Sequence, residues 1–397
     1  MKYSDQLKNL GTETAFAVSA QARKWADKGN KVYPFHLGDI NLPTPENIVE
    51  ATIKSIKDGL TGYCPSEGIF PLREALANDV GFKRGVSYDP DNVAIQPGGK
   101  PTIGKFISSI LNPGDEILYP NPGYPIYESQ IEYQGGRAIP YSYVQTDSGF
   151  DIDIEKIKDS INDKTIAIIY NNYQNPISAE SSVEEMNAIA QIAIENDLWV
   201  LSDEAYFEIV YDGEARSIVS IPGMRERTVI LYTFSKKFAM TGWRVGGSIG
   251  PKEIIKRIAK FNVNAESCTT HFIQNAMVEA LNGDQHGSVE ILKILRERRD
   301  AAVKGLNAID GIDILTPRTT FYLFPNVTKV MDRKGLRSVE ELQNGALKNA
   351  NVSFCTREHF GRPQDNEVDS YIRLAYSGIS TTDIAEGLAN LKKYIEE

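Results

Sequence analysis

Residues 228–247 have the sequence TVILYTFSKKFAMTGWRVGG, and this stretch decides the fold class. Residues 229–233 predict a buried strand that ends just before Ser235 and the lysine pair Lys236 and Lys237. Arg244 follows Lys236 by eight positions, among glycines. A lysine beyond a buried strand suits a Schiff-base nucleophile, and the arginine suits a phosphate clamp. The alternative is a solvated lysine pair before a structural glycine turn, and periodicity does not choose between the two lysines.

The chain on either side of this strand alternates short β-branched runs with longer helix-period segments. That pattern predicts an α/β fold in which crossover helices join the strands of a mostly parallel sheet. Between two runs, the overlapping pairs Ser181–Glu184 and Ser182–Glu185 both match a capping box, which predicts a helix start. Such sheets bind ligands beyond the carboxyl ends of their strands, so we expect the chemistry there. The predicted strands are residues 92–96, 116–119, 165–170, 198–201 and 229–233.

The C-terminal third has a different pattern, which predicts a smaller α+β unit. A charged helical stretch at residues 293–305 leads to strand-like runs at residues 312–315, 321–324 and 371–374. The N-terminal segment has a helix pattern at residues 14–28, followed by a Pro- and Gly-rich stretch. We therefore expect a large domain of residues 46–289 and a small domain that combines residues 1–45 with residues 290–397.

Composition and charge exclude several classes of protein. The 397 residues, 41% hydrophobic and 24% charged, are typical of a folded globular chain with small-molecule or protein partners. A net charge of −10 gives no basic field, so neither nucleic acid nor a membrane surface is an expected partner. The three cysteines form no Cys-x-x-Cys pair, and no run is apolar and long enough for a signal peptide or a membrane span. We expect a cytoplasmic protein.

A second motif, Gln96-Pro97-Gly98-Gly99-Lys100-Pro101, follows a predicted strand and opens a predicted helix. The glycines permit close backbone approach, and the helix start aims N–H groups outward with the helix dipole behind them. The segment therefore predicts a phosphate-binding turn, the alternative being a plain strand-to-helix turn. Its spacing matches neither the nucleoside-triphosphate nor the dinucleotide motif.

A third motif, Leu201-Ser202-Asp203-Glu204-Ala205-Tyr206, places two carboxylates and a phenol beyond an apolar strand. Because the four histidines show no ligand-like spacing, we expect no metal. Asp203 can instead pair with a protonated ring nitrogen, a partner that lowers its pKa, and the alternative is a strand-end helix cap. A phosphate, a carbonyl that condenses with lysine and a ring nitrogen are all present in pyridoxal 5′-phosphate.

With these motifs in order, nearly the whole chain resembles the fold-type I pyridoxal-phosphate enzymes, specifically the class I and II aminotransferases of the aspartate aminotransferase group. The family's Ser-x-x-Lys segment, followed by Met-Thr-Gly-Trp-Arg-x-Gly, matches residues 233–236 and 240–246. The resemblance implies that Lys236 forms the internal aldimine with the cofactor and that Thr233 and Arg244 bind its phosphate. It also implies a fold-type I large domain with a smaller α+β domain.

Further roles follow from the resemblance, one position at a time. Asp203 corresponds to the partner of the pyridinium nitrogen, and Tyr206 to the phenol that shares the cofactor's 3′-oxygen with Asn175. Tyr124 corresponds to the aromatic that stacks on the pyridine ring. Gly98, Gly99 and Lys100 match the phosphate-binding turn. In some relatives that act on acidic substrates, the lysine at this third position instead reaches the substrate's distal carboxylate.

Two more residues concern the partner subunit and the substrate. Tyr63 resembles a tyrosine that crosses the dimer interface to the neighbouring subunit's phosphate, which implies a homodimer. Arg373 resembles the arginine that grips the substrate α-carboxylate, a bidentate task for which lysine is a poor substitute. Asn175 and Gly38 match residues of the substrate loops.

Both of these loops depart from the family pattern. The usual Asn-Pro-Thr-Gly is Asn175-Pro176-Ile177-Ser178, and the usual Gly-x-Pro-x-Phe-x-Thr-Pro has Ile40 and Leu42 in place of proline and phenylalanine. The departures weaken any transfer of substrate specificity.

The resemblance implies ping-pong transamination between an L-amino acid and a 2-oxo acid. The alternative is a lyase or decarboxylase reaction on the same fold, because the motifs fix the cofactor more firmly than the bond that is broken. A cofactor-sensing regulator is disfavoured because residues 1–45 have neither the length nor the basic charge of a DNA-binding module.

Overall fold

The computed structural model describes residues 1–11, 14–147, 149–365 and 367–397. The strands are β1 Tyr33–Pro34, β2 Val93–Gln96, β3 Glu116–Pro120, β4 Arg137–Tyr141, β5 Tyr143–Thr146, β6 Gly149–Ile152, β7 Thr165–Tyr170, β8 Trp199–Asp203, β9 Thr228–Thr233, β10 Gly246–Ile249, β11 Tyr322–Leu323, β12 Val352–Ser353, β13 Cys355–Thr356 and β14 Ile372–Ala375. The helices are α1 Ala15–Ala26, α2 Glu46–Lys57, α3 Phe70–Arg84, α4 Lys100–Ile110, α5 Ile126–Tyr133, α6 Ile154–Ser160, α7 Val183–Glu195, α8 Lys252–Ala265, α9 His271–Asn282, α10 His286–Leu306, α11 Thr328–Lys334, α12 Val339–Ala350 and α13 Thr381–Glu396.

The central sheet has seven strands in the order β2-β10-β9-β8-β7-β3-β4. β10 runs antiparallel to both neighbours, and the other adjacent pairs are parallel. This confirms the mostly parallel sheet, and the five predicted strands correspond to β2, β3, β7, β8 and β9. β10 was not predicted because it begins with two glycines, which lower β propensity. A Cβ at Gly246 would lie 2.6 Å from the carbonyl oxygen of Tyr232, so this close approach needs glycine.

Alternating side chains of the strands bury both faces of the sheet. One face contributes Ile168, Val200 and Ile230 to a cluster with residues of α2, α3, α7 and α9. The opposite face contributes Ile169 and Leu201 to a cluster with α4, α5 and α8. Because helices cover both faces, the strands have near-continuous apolar sequences instead of alternating apolar and polar residues. This is typical of parallel strands. Helix α7 begins with the Ser182–Glu185 capping box; Ser181 lies before it.

The C-terminal third packs helices around short strands. β11, β14 and β13 form a three-stranded antiparallel sheet, and β1 pairs in parallel with β12. Helices α10 to α13 bury one apolar cluster with these strands. The division into residues 46–289 against 1–45 and 290–397 stays a prediction. No helix of the described residues has the length and apolar character to cross a membrane.

The strand predicted at residues 312–315 is wrong. The backbone of Ile314 pairs with a side chain instead of a neighbouring strand: its N–H donates to Asn307 Oδ1 at 2.8 Å, and Asn307 Nδ2 donates to its carbonyl at 3.0 Å. Ile312 is buried, but Leu315 is 53% exposed. A short apolar run carries no information about a partner strand, which explains the error.

Candidate active site

A cavity of about 510 Å³ opens at the carboxyl ends of β8 and β9. Asp203 is the last residue of β8, Thr233 the last of β9, and Lys100 the first of α4. The strand ends and the helix start therefore bring together side chains that are far apart in sequence. The predicted site residues that line the cavity are Gly38, Gly99, Lys100, Tyr124, Asn175, Asp203, Tyr206, Thr233, Lys236, Arg244 and Arg373.

Asp203 supplies a buried carboxylate to the cavity. Its Oδ2 accepts a 2.6 Å hydrogen bond from the Tyr127 phenol, and its Oδ1 accepts one of 3.1 Å from the backbone N–H of Ala205. Burial raises the pKa of Asp203, against the opposing effects of these hydrogen bonds and of the Lys236 charge. The adjacent Glu204 is paired with Arg84 Nε at 2.6 Å and does not line the cavity.

The two adjacent lysines lie in different surroundings. Lys236 lines the cavity, and its Nζ donates a 3.1 Å hydrogen bond to the carbonyl of Gly38. Lys237 lies 3.8 Å from Glu208 on the other side of the turn. Burial lowers the pKa of Lys237, and Glu208 opposes that effect. The turn after β9 thus brings Lys236, and not Lys237, to the cavity.

Gly98 and Arg244 meet beside the start of α4. Gly98 has φ +97°, and a Cβ there would lie 2.2 Å from Arg244 Nη2, so a side chain would displace the guanidinium. Arg244 Nη1 donates to the carbonyl of Thr241 at 2.7 Å, and a Cβ on Gly99 would lie 3.1 Å from Thr233 Cβ. Gly98, predicted as part of the phosphate-binding turn, lies beside Arg244 and does not line the cavity. The helix start and the arginine form a cradle of donors for an anion.

Lys100 and Tyr124 lie next to each other on the cavity wall. Lys100 Nζ lies 5.6 Å from the centroid of the Tyr124 ring, within the range of a cation–π contact. The Tyr124 and Tyr127 rings are nearly perpendicular, at 84°, and their centroids lie 5.7 Å apart. Tyr124 therefore presents an aromatic face near the buried carboxylate of Asp203.

Arg373 is buried, and its guanidinium lies between the rings of Tyr322 and Phe360, 4.6 and 4.7 Å from their centroids. One Nη donates to the carbonyl of His36 at 2.5 Å and the other to Asn175 Oδ1 at 3.4 Å. Its Nε has no hydrogen-bond partner among the described residues. A buried guanidinium with an unused donor at a cavity wall is suited to bind a carboxylate.

Sequence reasoning missed several residues of this cavity. The hydroxyls of Tyr322 and Tyr206 form a 2.7 Å hydrogen bond in which either can be the donor. A Cβ on Gly38 would lie 2.2 Å from the Tyr322 hydroxyl oxygen. Tyr127, Asp39, Asn171, His359 and Phe360 also line the cavity. The only sequence signal for Tyr322 was its place in a predicted strand.

Tyr63 is a further predicted site residue that lies outside the cavity. Tyr63 is 89% exposed on this single chain and does not line the cavity.

Among the described residues, no three His, Cys, Asp or Glu side chains are grouped in a way that could hold a metal ion.

Comparison with known proteins identifies the family. The family model for aminotransferase class I and II matches residues 31–391. This chain belongs to the class I and II aminotransferases. It is therefore an enzyme, and the fold-type I architecture is confirmed by solved structures. The aspartate aminotransferase of Thermus thermophilus with maleate has a TM-score of 0.91 and 28% identity, covering 99% of this chain and 100% of that one.

Curated members of this aminotransferase family match over nearly their full length. An aspartate aminotransferase of Bacillus sp. (strain YM-2) is 31% identical over 99% of both chains. A probable aspartate/prephenate aminotransferase of Aquifex aeolicus is 32% identical over 99% of this chain and 98% of its own. The relatives' names agree on transamination and differ in substrate.

Proposed function

We propose that this aminotransferase uses pyridoxal 5′-phosphate to move an amino group between an L-amino acid and a 2-oxo acid by a ping-pong mechanism, with Lys236 as the covalent attachment point. The observation that carries the proposal is the convergence of Lys236, Asp203 and Arg244 on one cavity in a chain of this family. Their chemistry matches the aldehyde, the ring nitrogen and the phosphate of that cofactor.

The residues present fit the cofactor. Arg244 and the start of α4 would hold its phosphate, Tyr124 would cover one ring face, and Asp203 would pair with the ring nitrogen. The buried carboxylate supports this role because a cationic ring nitrogen would offset the cost of its burial. When bound, the cofactor supplies an electron sink for the electron pair left at Cα.

Two positions on the cavity wall would handle the substrate. Arg373 and Asn175 would bind the α-carboxylate and so fix the orientation of Cα, using the planar guanidinium fork. Lys236 would take the proton from Cα as general base and return it as general acid at the cofactor's C4′ carbon. The Gly38 carbonyl and the Phe321 ring, 5.5 Å from Nζ, orient the amine for this transfer.

We further propose a homodimer in which Tyr63 reaches the phosphate site of the partner subunit. The proposal requires that the Tyr63 ring be accessible to a second subunit, and the side chain is 89% exposed on the single chain. Sedimentation should give twice the mass of the chain. Tyr63→Phe should weaken cofactor binding without changing that mass.

L-Aspartate and 2-oxoglutarate are the first pair to test, because the relatives named above include aspartate aminotransferases and Lys100 lines the cavity. Loaded enzyme should convert L-aspartate to one equivalent of oxo acid in a single half-reaction, and 2-oxoglutarate should restore the starting spectrum. Release of ammonia or carbon dioxide instead would indicate a lyase or a decarboxylase.

A matched pair of lysine variants tests the attachment point. Borohydride treatment should attach the cofactor covalently to the wild type and to Lys237→Ala, with the label mapping to Lys236, and should fail in Lys236→Ala. Attachment that survives in Lys236→Ala and is lost in Lys237→Ala would refute the assignment.

A further inference from the structure

Two hydrogen bonds from Ser178 tie the loop after β7 to the segment of strand β11, and a third within that segment completes a ring. Ser178 Oγ lies 2.7 Å from Thr320 Oγ1 and 2.8 Å from the carbonyl oxygen of Tyr322. The backbone N–H of Tyr322 donates to Thr320 Oγ1 at 3.2 Å. Because an N–H only donates and a carbonyl only accepts, the protons run from Tyr322 N–H to Thr320, from Thr320 to Ser178, and from Ser178 back to Tyr322. The ring closes on the backbone of one residue.

Both hydroxyl residues of the ring have a left-handed backbone. Ser178 has φ +57° and Thr320 has φ +61°. Ser178 stands where the family motif usually has glycine, and a β-branched residue such as threonine is a clear outlier in this region. Such conformations persist only where surrounding contacts over-determine them, and they cluster at functional sites. Thr320 is fully buried, and its carbonyl accepts hydrogen bonds from the phenols of Tyr211 at 2.6 Å and Tyr376 at 3.2 Å.

The segments joined by the ring both contact Arg373. Asn175, three positions before Ser178, accepts the 3.4 Å hydrogen bond from Arg373 Nη1. The Tyr322 ring packs 4.6 Å from the guanidinium, and its hydroxyl is held by Tyr206. The positions of these two contacts relative to each other therefore depend on the Ser178–Thr320 ring.

We propose that Ser178 and Thr320 are positioning residues for the substrate carboxylate: their paired hydroxyls lock the Asn175 loop to the Tyr322 strand, and so hold Arg373 in one orientation. This rests on the proposed function, in which Arg373 binds the α-carboxylate. A glycine at position 178 would leave this part of the cavity wall more flexible, whereas the Ser178 hydrogen bonds hold it in one conformation. A binding group whose geometry is already fixed loses less conformational entropy when the ligand binds.

The test compares Ser178→Gly, Ser178→Ala and Thr320→Val in the loaded enzyme. Each removes a hydroxyl of the ring and should raise the KM for L-aspartate about fivefold, with kcat changed less than about twofold. Ser178→Gly also relieves the positive φ, so it should unfold at the same or a higher temperature than the wild type while showing the same rise in KM. Hydrogen exchange should quicken in residues 171–180 and 319–324.

Two further variants serve as controls. Thr320→Ser keeps the hydroxyl and should retain the wild-type KM. The double variant Ser178→Gly with Thr320→Val should be no worse than the more severe single change, because both break one ring.

Three results would overturn the proposal: an unchanged KM in Ser178→Gly, additive effects in the double variant, or faster exchange spread evenly over the chain. A wild-type enzyme that makes no oxo acid would refute the proposed function instead. Local exchange in the two segments would then still decide whether the hydroxyls lock them together.

Discussion

The Tyr127 phenol donates a 2.6 Å hydrogen bond to Asp203 Oδ2, and the tyrosine is fully buried. Burial, with a further contribution from the neighbouring Asp203 carboxylate, raises the pKa of Tyr127 well above its usual value. Tyr127 therefore remains a hydrogen-bond donor at every working pH. Its hydrogen bond favours the ionised form of Asp203, against the effect of burial.

Tyr127→Phe should weaken cofactor binding. Without the phenol, the pKa of Asp203 rises further, and the carboxylate that would pair with the cofactor's ring nitrogen becomes less available. A hydrogen bond to a charged group contributes about 1.5–3 kcal/mol, so the Kd for pyridoxal phosphate should rise tenfold or more. Equilibrium dialysis of the variant against the wild type measures this change.

Tyr141→Phe is the matched control for that variant. Tyr141 is equally buried, but its hydroxyl donates to the carbonyl of Ile169 at 2.9 Å. It should leave the Kd for the cofactor within about twofold of the wild type. Equal effects of the two changes would show that Tyr127 matters for packing rather than for the charge of Asp203.

Asp203→Asn should stabilise the cofactor-free protein at neutral pH and abolish transamination. The pKa of Asp203 is raised on folding, so the native state binds its proton more tightly than the unfolded state does. The stability from this group is complete below the unfolded-state pKa and is lost as pH rises through the folded-state value. The variant should therefore gain about 2 °C in Tm at pH 7.5 and less at pH 4, by calorimetry. A Tm gain that grows toward acid pH would show that folding lowers the pKa of Asp203 instead of raising it.

Sequence predicted the parts of the site that depend on local spacing. The strand β9, Lys236 and Arg244 lie within one short segment, so their arrangement follows from the strand and the turn after it. Asp203 follows from the same rule at the end of β8. Local periodicity and side-chain chemistry located these segments, and the family resemblance then chose Lys236 over Lys237 and assigned the role of Asp203.

The contacts that join distant parts of the chain within the site could not be predicted from sequence. Tyr127 contacts Asp203 across 76 positions, and Tyr206 contacts Tyr322 across 116. A buried tyrosine in a helix or a strand has the same sequence pattern whether it packs in the core or lines a cavity. The mistaken strand at residues 312–315 has the same cause, since only the fold shows that Asn307 pairs with that backbone.

Arg373→Lys should raise the KM for the amino acid about 10²-fold with a smaller effect on kcat. Lysine cannot reproduce the planar fork that lies between Tyr322 and Phe360. Steady-state kinetics give the two constants separately. Arg318→Lys is the control, because Arg318 is exposed and pairs with Glu180 at 3.3 Å. It should leave KM and kcat unchanged. Equal kinetics for Arg373→Lys and the wild type would remove Arg373 from the proposed substrate site.

Gly38→Ala should lower kcat/KM by about tenfold or more. The new Cβ would lie 2.2 Å from the Tyr322 hydroxyl, which must move, and the Gly38 carbonyl that accepts from Lys236 would shift with it. Gly11→Ala is the control, because its Cβ would meet Ser129 at an ordinary 3.5 Å. Activity that is unaffected in Gly38→Ala would show that Tyr322 can yield without disturbing Lys236.

His36 should make the enzyme less stable in mild acid. Burial, with a smaller contribution from the Arg373 charge, lowers the pKa of His36 from 6.5 to about 4, while its Nδ1 lies 2.6 Å from Ser353 Oγ. Between pH 6.5 and pH 4, His36 is therefore protonated in the unfolded chain and neutral in the native state.

The stability contributed by neutral His36 is complete above pH 6.5 and falls as pH drops through this window. Between pH 7.5 and pH 5, the wild type should lose about 2 kcal/mol of unfolding free energy that His36→Asn keeps. Urea denaturation of both proteins at the two pH values measures the difference, in which the other titrating groups cancel. Parallel pH dependence in the two proteins would show that His36 is protonated in the native state, and that the Arg373 guanidinium tolerates a second positive charge beside it.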